Sequence, residues 1–128
     1  MRELYDRGKL ILVVEDDEDN HALVEFLINR SHLDVELMMA ENGEEAVQCV
    51  RKKKPDLILM NMQMPIMDGY TIVPIIKADP ELSSIIAFTA LARPEDIART
   101  KSIGCIDHYT KPMDPEQLIK LIHKYIRP

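Results

Sequence analysis

The chain has 128 residues, of which 46% are apolar and 30% charged, with four glycines and a formal charge of −6 at neutral pH. That length can bury a core without disulfides or metals, so a single domain over residues 1–128 is expected, and the balance excludes a disordered or fibrous chain. The negative charge argues against nucleic-acid binding, and the longest apolar runs, LILVV and LILM, fall far short of the roughly 20 residues a membrane span needs.

Residues 1–10, MRELYDRGKL, contain no signal-peptide core, which makes the cytoplasm the expected location. KLILVV, residues 9–14, is a short β-branched run of the kind found in strands buried on both faces. The acidic EDDEDN follows, and Ala22, Leu23, Phe26 and Leu27 then recur at helical spacing, which predicts a helix from Asp19 to Ser31. VELMMA reads as a second strand. NGEEAVQCVRKKK reads as a second helix, with Ala46, Val47 and Val50 inward and a basic last turn that suits the helix dipole. LILM, residues 57–60, is the third strand, and Gly69 to Ala78 reads as a helix that Pro74 should bend. IIAFT is a fourth strand, and Pro94 to Ile103 a helix with proline in its first turn. CIDHYT is a fifth strand. Asp114 then caps a closing helix whose inward positions are Leu118, Ile119, Ile122 and Ile126.

Five strands alternating with five helices imply a parallel sheet covered on both faces, with right-handed crossovers. Ligands of such sheets bind outside the carboxyl ends of the strands. The residues at those ends are Glu15 and Asp16 after strand one, Asn61 and Gln63 after strand three, Thr89 and Ala90 after strand four, and Lys111 and Pro112 after strand five. They are expected to converge. Clustered carboxylates suit magnesium, while a threonine hydroxyl and a lysine ammonium suit phosphoryl oxygens. Such a site could place a phosphoryl group on a third carboxylate, with cation and lysine offsetting the developing charge. The third carboxylate is missing, because Asn61 stands where the apolar run ends.

ILVVEDD, PDLILMNMQMPIMDG, IIAFTA and HYTKP together make the whole chain resemble the receiver domains of two-component response regulators. The resemblance implies a flavodoxin-like (βα)5 doubly wound sheet with strand order 2-1-3-4-5. It also implies that Asn61 occupies the position of the aspartate that accepts a phosphoryl group from a histidine kinase. Glu15 and Asp16 match the cation-binding acids, and Gln63 a position that offers its backbone carbonyl. Thr89 matches the switch hydroxyl, Ala90 its neighbour in the phosphate site, and Lys111, followed by a cis Pro112, the site lysine. His108 falls at the aromatic switch position, with Tyr109 displaced by one.

A carboxamide is a poor nucleophile and its NH2 end repels a cation, so Asn61 should take no phosphoryl group and any magnesium site should be weakened. The expected function is that of a pseudo-receiver: a non-enzymatic interaction module whose partner is a histidine kinase, a phosphotransfer protein or an output domain. The alternative is an ordinary phosphoacceptor receiver seen as an aspartate-to-asparagine variant. A flavodoxin-like cofactor binder or small phosphatase shares the topology, but no Gly-rich or Ser/Thr-rich loop follows strand one and no Asp-x-Asp nucleophile pair stands at its end.

Plainer readings stand beside these. The acids of Glu15–Asp19 also suit a helix start, Lys111 an ion pair with them, Thr89 an ordinary strand end and His108 a surface position. Cys49 and Cys105 are expected as buried free thiols, and His21, His32 and His123 lack metal spacing. Arg51–Lys54 reads as a solvated helix end. Met60 reads as core, whereas Met62, Met64 and Met67 could line an adaptable contact surface.

Overall fold

A computed structural model describes residues 9–126 apart from positions 32, 66, 80, 82, 83, 91, 92, 112 and 113. In chain order it contains β1 (Leu10–Val14), α1 (Glu18–Arg30), β2 (Glu36–Ala40), α2 (Gly43–Lys52), β3 (Leu57–Asn61), α3 (Gly69–Lys77), β4 (Ile85–Thr89), α4 (Pro94–Ser102), β5 (Asp107–Thr110) and α5 (Pro115–Ile126). The strands form one parallel sheet in the order β2-β1-β3-β4-β5.

Alternation along the central strands sends successive side chains to opposite faces and so divides the core. Leu12, Val14, Ile58, Met60 and Ala87 pack with α2 and α3, while Ile11, Val13, Leu59, Ile86 and Phe88 pack with α1 and α5. All residues of β1, β3 and β4 are buried, as their unbroken apolar runs predict. β2 is a half-exposed edge that begins at Glu36 rather than Val35, and β5 begins at Asp107 rather than Cys105. β3 runs one residue past the apolar run and includes Asn61, which pairs in register with Phe88.

Short polar side chains start most helices. Asp17 accepts from the amides of Asp19 and Asn20 at 2.8 and 3.1 Å, Asn42 from that of Glu45 at 2.8 Å, and Asp68 from that of Thr71 at 3.1 Å. Asp114 accepts from the amides of Glu116 and Gln117 at 3.0 and 3.4 Å, the cap expected for the last helix. Helix α3 continues through Pro74 to Lys77.

Several expectations need correction. The side chains buried under α1 are Val24 and Ile28, whereas Ala22, Leu23 and Phe26 are exposed and Leu27 is half-buried. Helical spacing was correct but the stripe was not, because two apolar series run along this helix and only one faces the sheet. Val47 and Ile119 are half-buried at the edges of their stripes. Cys49 is a free but only half-buried thiol, and Cys105 is free and buried. Met62 and Met64 are core residues and offer no contact surface; Met67 is half-buried. The close approach at Gly69 explains part of this: a Cβ there would lie 2.5 Å from Met62 Sδ and 2.9 Å from its Cα.

Candidate functional site

The parallel sheet brings the carboxyl ends of β1, β3, β4 and β5 to one edge, where Glu15, Asp16, Asn61, Gln63, Thr89, Ala90 and Lys111 are linked to one another. Asn61 is the centre. Its Nδ2 donates to Asp16 Oδ1 at 3.1 Å, while its Oδ1 accepts from Lys111 Nζ at 3.2 Å and from the Gln63 amide at 3.1 Å. These partners dictate which way the carboxamide faces, since an ammonium and an N–H can only donate and a carboxylate only accepts. Asn61 is 4% exposed, so these bonds satisfy a group withdrawn from water.

Glu15 is also buried. Its Oε1 accepts from Asn20 Nδ2 at 2.7 Å, and its Oε2 lies 4.0 Å from Lys111 Nζ. Lys111 therefore stands between an acid and an amide, and its own backbone amide donates to the Thr89 carbonyl at 2.8 Å. Thr89 is 1% exposed at the end of β4. The Ala90 amide donates to Gln63 Oε1 at 3.0 Å, which ties the loop after β3 to the loop after β4.

His108 is half-buried on β5, apart from this cluster, and its amide donates to Asp107 Oδ1 at 2.8 Å. Tyr109 points into the core instead. It stacks on Phe88 with ring centroids 5.0 Å apart, and its hydroxyl donates to the Asp114 carbonyl at 2.9 Å while accepting from the Asp114 amide. Burial raises the Tyr109 phenol above its usual value. Pro112 lies outside the described residues, and so does His32.

The oxygen donors facing the cluster fit a hard cation poorly. Asp16 already accepts from the Asn61 NH2 group, and the Asn61 oxygen is taken by Lys111 and Gln63. No group of three or more His, Cys, Asp or Glu side chains suited to a metal occurs among the described residues. A tight magnesium site wants several oxygens in near-octahedral array, and two carboxylates, one hydrogen-bonded by an amide and the other facing an ammonium, do not supply it. Sequence reasoning missed two members of the cluster, Asn20 and the Gln63 side chain. Asn20 follows the acidic run in the first turn of α1, a placement that could have marked it; the Gln63 contact had no local signal.

A family model described as the response regulator receiver domain matches residues 11–123. The chain is 37% identical over 120 residues to the polar-differentiation response regulator DivK of Brucella anthropi, covering 92% of this chain and 96% of that protein. Among solved structures it resembles the receiver domain of the sensor histidine kinase PA1611 of Pseudomonas aeruginosa, which carries magnesium in its active-site cleft, at 29% identity and a TM-score of 0.81 over 93% of this chain and 98% of that one. It also resembles the receiver domain of Ssk1 of Saccharomyces cerevisiae, crystallised with the histidine phosphotransfer protein Ypd1, at 25% identity and a TM-score of 0.83 over 92% and 88% of the two chains. With the flavodoxin-like sheet order and a match across most of its length, the chain belongs to the response regulator receiver domain family, the signalling module of two-component systems.

Proposed function

We propose that this chain is one receiver domain that accepts no phosphoryl group and acts in two-component phosphorelay signalling through protein contacts alone. The observation that carries the reading is Asn61 at the carboxyl end of β3, bonded to both Asp16 and Lys111. A carboxamide in that place offers no anionic oxygen to attack phosphorus. Glu15, Asp16 and the Gln63 backbone carbonyl are the residues that would hold magnesium, weakly, and Thr89, Ala90 and Lys111 those that would meet phosphoryl oxygens. Magnesium in the PA1611 receiver and Ypd1 against the Ssk1 receiver support the assignment of ion and partner class. A histidine kinase, a phosphotransfer protein or an output domain is the partner, and the module itself is not an enzyme. No helix among the described residues is long and apolar enough to cross a membrane, in keeping with a cytoplasmic site of action.

A second reading has its own support. The acids, the lysine and the buried threonine remain around Asn61, as they would in a phosphoacceptor receiver seen as an aspartate-to-asparagine variant. Incubation with magnesium and acetyl phosphate or phosphoramidate, followed by intact mass, tests the proposal. No adduct is expected on this chain, and Asn61→Asp should restore acceptance; a stoichiometric phosphoryl adduct on the unchanged chain would overturn it.

A further inference from the structure

Behind the cluster the fold leaves a cavity of about 330 Å³ between α1 and the sheet, within the lower range of small-ligand pockets, roughly 300–1,000 Å³. Its two ends differ in chemistry, and the pleat of the strands is the reason. Val13 and Leu59 lie two residues before Glu15 and Asn61, so each pair shares one face of the sheet, apolar residue inward and polar residue at the edge. Val24 and Phe88 extend the apolar end; Lys111 and Asn20 complete the polar one.

The polar end holds one charge of each sign, and neither is fully used. Glu15 is 5% exposed, and among the described residues its side chain accepts at hydrogen-bond distance only from the Asn20 amide, with Lys111 Nζ at 4.0 Å. Lys111 Nζ donates to Asn61 at 3.2 Å and lies too far from Glu15 for a hydrogen bond. A carboxylate offers about four acceptor sites and an ammonium three donors, so both retain capacity. A lone anion entering here would face Glu15 and the acids that follow it, and a lone cation would face Lys111. A molecule carrying both charges on neighbouring atoms satisfies both.

We propose that this cavity binds a free apolar α-amino acid as its zwitterion, ammonium toward Glu15, carboxylate toward Lys111 and side chain against Val13, Val24, Leu59 and Phe88. The domain then has a small-molecule input that requires no phosphoryl chemistry. The assignment rests on Glu15, Lys111 and the apolar wall and needs no statement about phosphorylation of this chain; Asn61 also lines the cavity, so a phosphoryl group there would compete for Lys111.

Titrating the 15N-labelled chain with L-phenylalanine, L-leucine, 3-phenylpropionate, phenethylamine and glycine tests it. Saturable shifts are expected at Val24, Leu59 and Phe88 with the two apolar amino acids, about tenfold weaker affinity for either singly charged analogue, and no saturation with glycine. In Lys111→Met the preference for phenylalanine over phenethylamine should vanish, and in Glu15→Gln the preference over 3-phenylpropionate. The proposal is overturned if no saturable shift develops by about 20 mM, roughly twentyfold weaker than a millimolar dissociation constant, if the charged analogues bind equally well, or if the response is confined to residues 16–19 and shared with glycine. Phosphoryl acceptance is measured separately by mass, so failure of one reading leaves the other standing.

Discussion

One carboxamide organises the edge of the sheet. Asn61 gives Asp16 a neutral donor and gives Lys111 and the Gln63 amide an acceptor, so both ends of the buried carboxamide are bonded within the site. Two unit charges about 4 Å apart interact by roughly 4 kcal/mol at an intermediate dielectric before desolvation is subtracted, so one carboxylate fewer costs a divalent cation heavily. Magnesium is therefore expected to bind at millimolar concentration or more weakly, and Asn61→Asp to tighten it by about tenfold or more. Amide shifts near Asp16 during a magnesium titration measure both, and saturation of the parent chain in the low micromolar range would contradict the argument. Asn61 was legible in the sequence because the residue that ends an apolar strand of a parallel sheet must stand at its carboxyl edge. The Gln63 bond to Ala90 was not, since it joins two loops 27 residues apart whose spacing no local pattern encodes. The methionines misled for a related reason: Met62 and Met64 lie beyond the strand, and only the close approach of Gly69 to Met62 shows how tightly that turn folds back on the core.

At the scale of elements, period and chemistry disagree on α1. Its apolar positions exceed what one face needs, so the buried Val24 and Ile28 could not be separated from the exposed Leu23 and Phe26 without knowing where the sheet lies. Strand centres were legible to within a residue or two because β1, β3 and β4 are buried on both faces, whereas the edge strands β2 and β5 mix polar with apolar residues and are shorter than the segments VELMMA and CIDHYT. Helix α4 begins on a built device. Arg93 Nε donates to Asp96 Oδ2 at 2.8 Å and Nη2 to Oδ1 at 3.3 Å, and Arg99 lies 3.7 Å over the Tyr70 ring of α3. The Arg93 hydrogen bonds hold the Asp96 carboxyl below its usual value. A depressed carboxyl stabilises the fold above its unfolded value and loses that contribution as pH falls through the folded one. Acid titration should thus loosen the start of α4 below about pH 4, and Asp96→Asn should remove that step from a curve of melting temperature against pH; an unchanged acid limb would show that the pair contributes nothing. The turn after α4 gives a second test. Gly104 has φ of 113°, a conformation that costs an L-residue roughly 1–2 kcal/mol. Gly104→Ala should lower stability by about that amount in urea unfolding. The nearby Lys77 Cε, 2.9 Å from the added Cβ, is the end of a flexible chain and can move.

On the scale of the whole molecule, alternation of strands and helices in the sequence was enough for the layers, and the motif resemblance supplied the strand order that the structure bears out. What neither supplied is how the domain passes on a signal. The face built from α4, β5 and α5 includes a groove of about 420 Å³ lined by His108, Gln117, Lys120, Leu121 and Lys124. Lys120 is exposed and only loosely tied to Glu116 at 3.7 Å, so its charge is available to a partner. Tyr109, one position along, is committed to Phe88 and Asp114 and cannot report on the site without breaking the core. A ligand shifts a two-state element only through different affinities for the two states. If position 61 takes no phosphoryl group, as proposed, an acyl phosphate cannot act on Thr89, and this face should keep one resting arrangement. Affinity for a cognate kinase or phosphotransfer protein is then expected to be indifferent to phosphodonor. Lys120→Glu or His108→Tyr should change it more than Thr89→Ala does, by about tenfold against less than about twofold if a charged contact is lost at a docking surface. Isothermal titration of the three variants against one partner decides between surface and switch: a dominant effect of Thr89→Ala would mean that the edge of the sheet still controls this face.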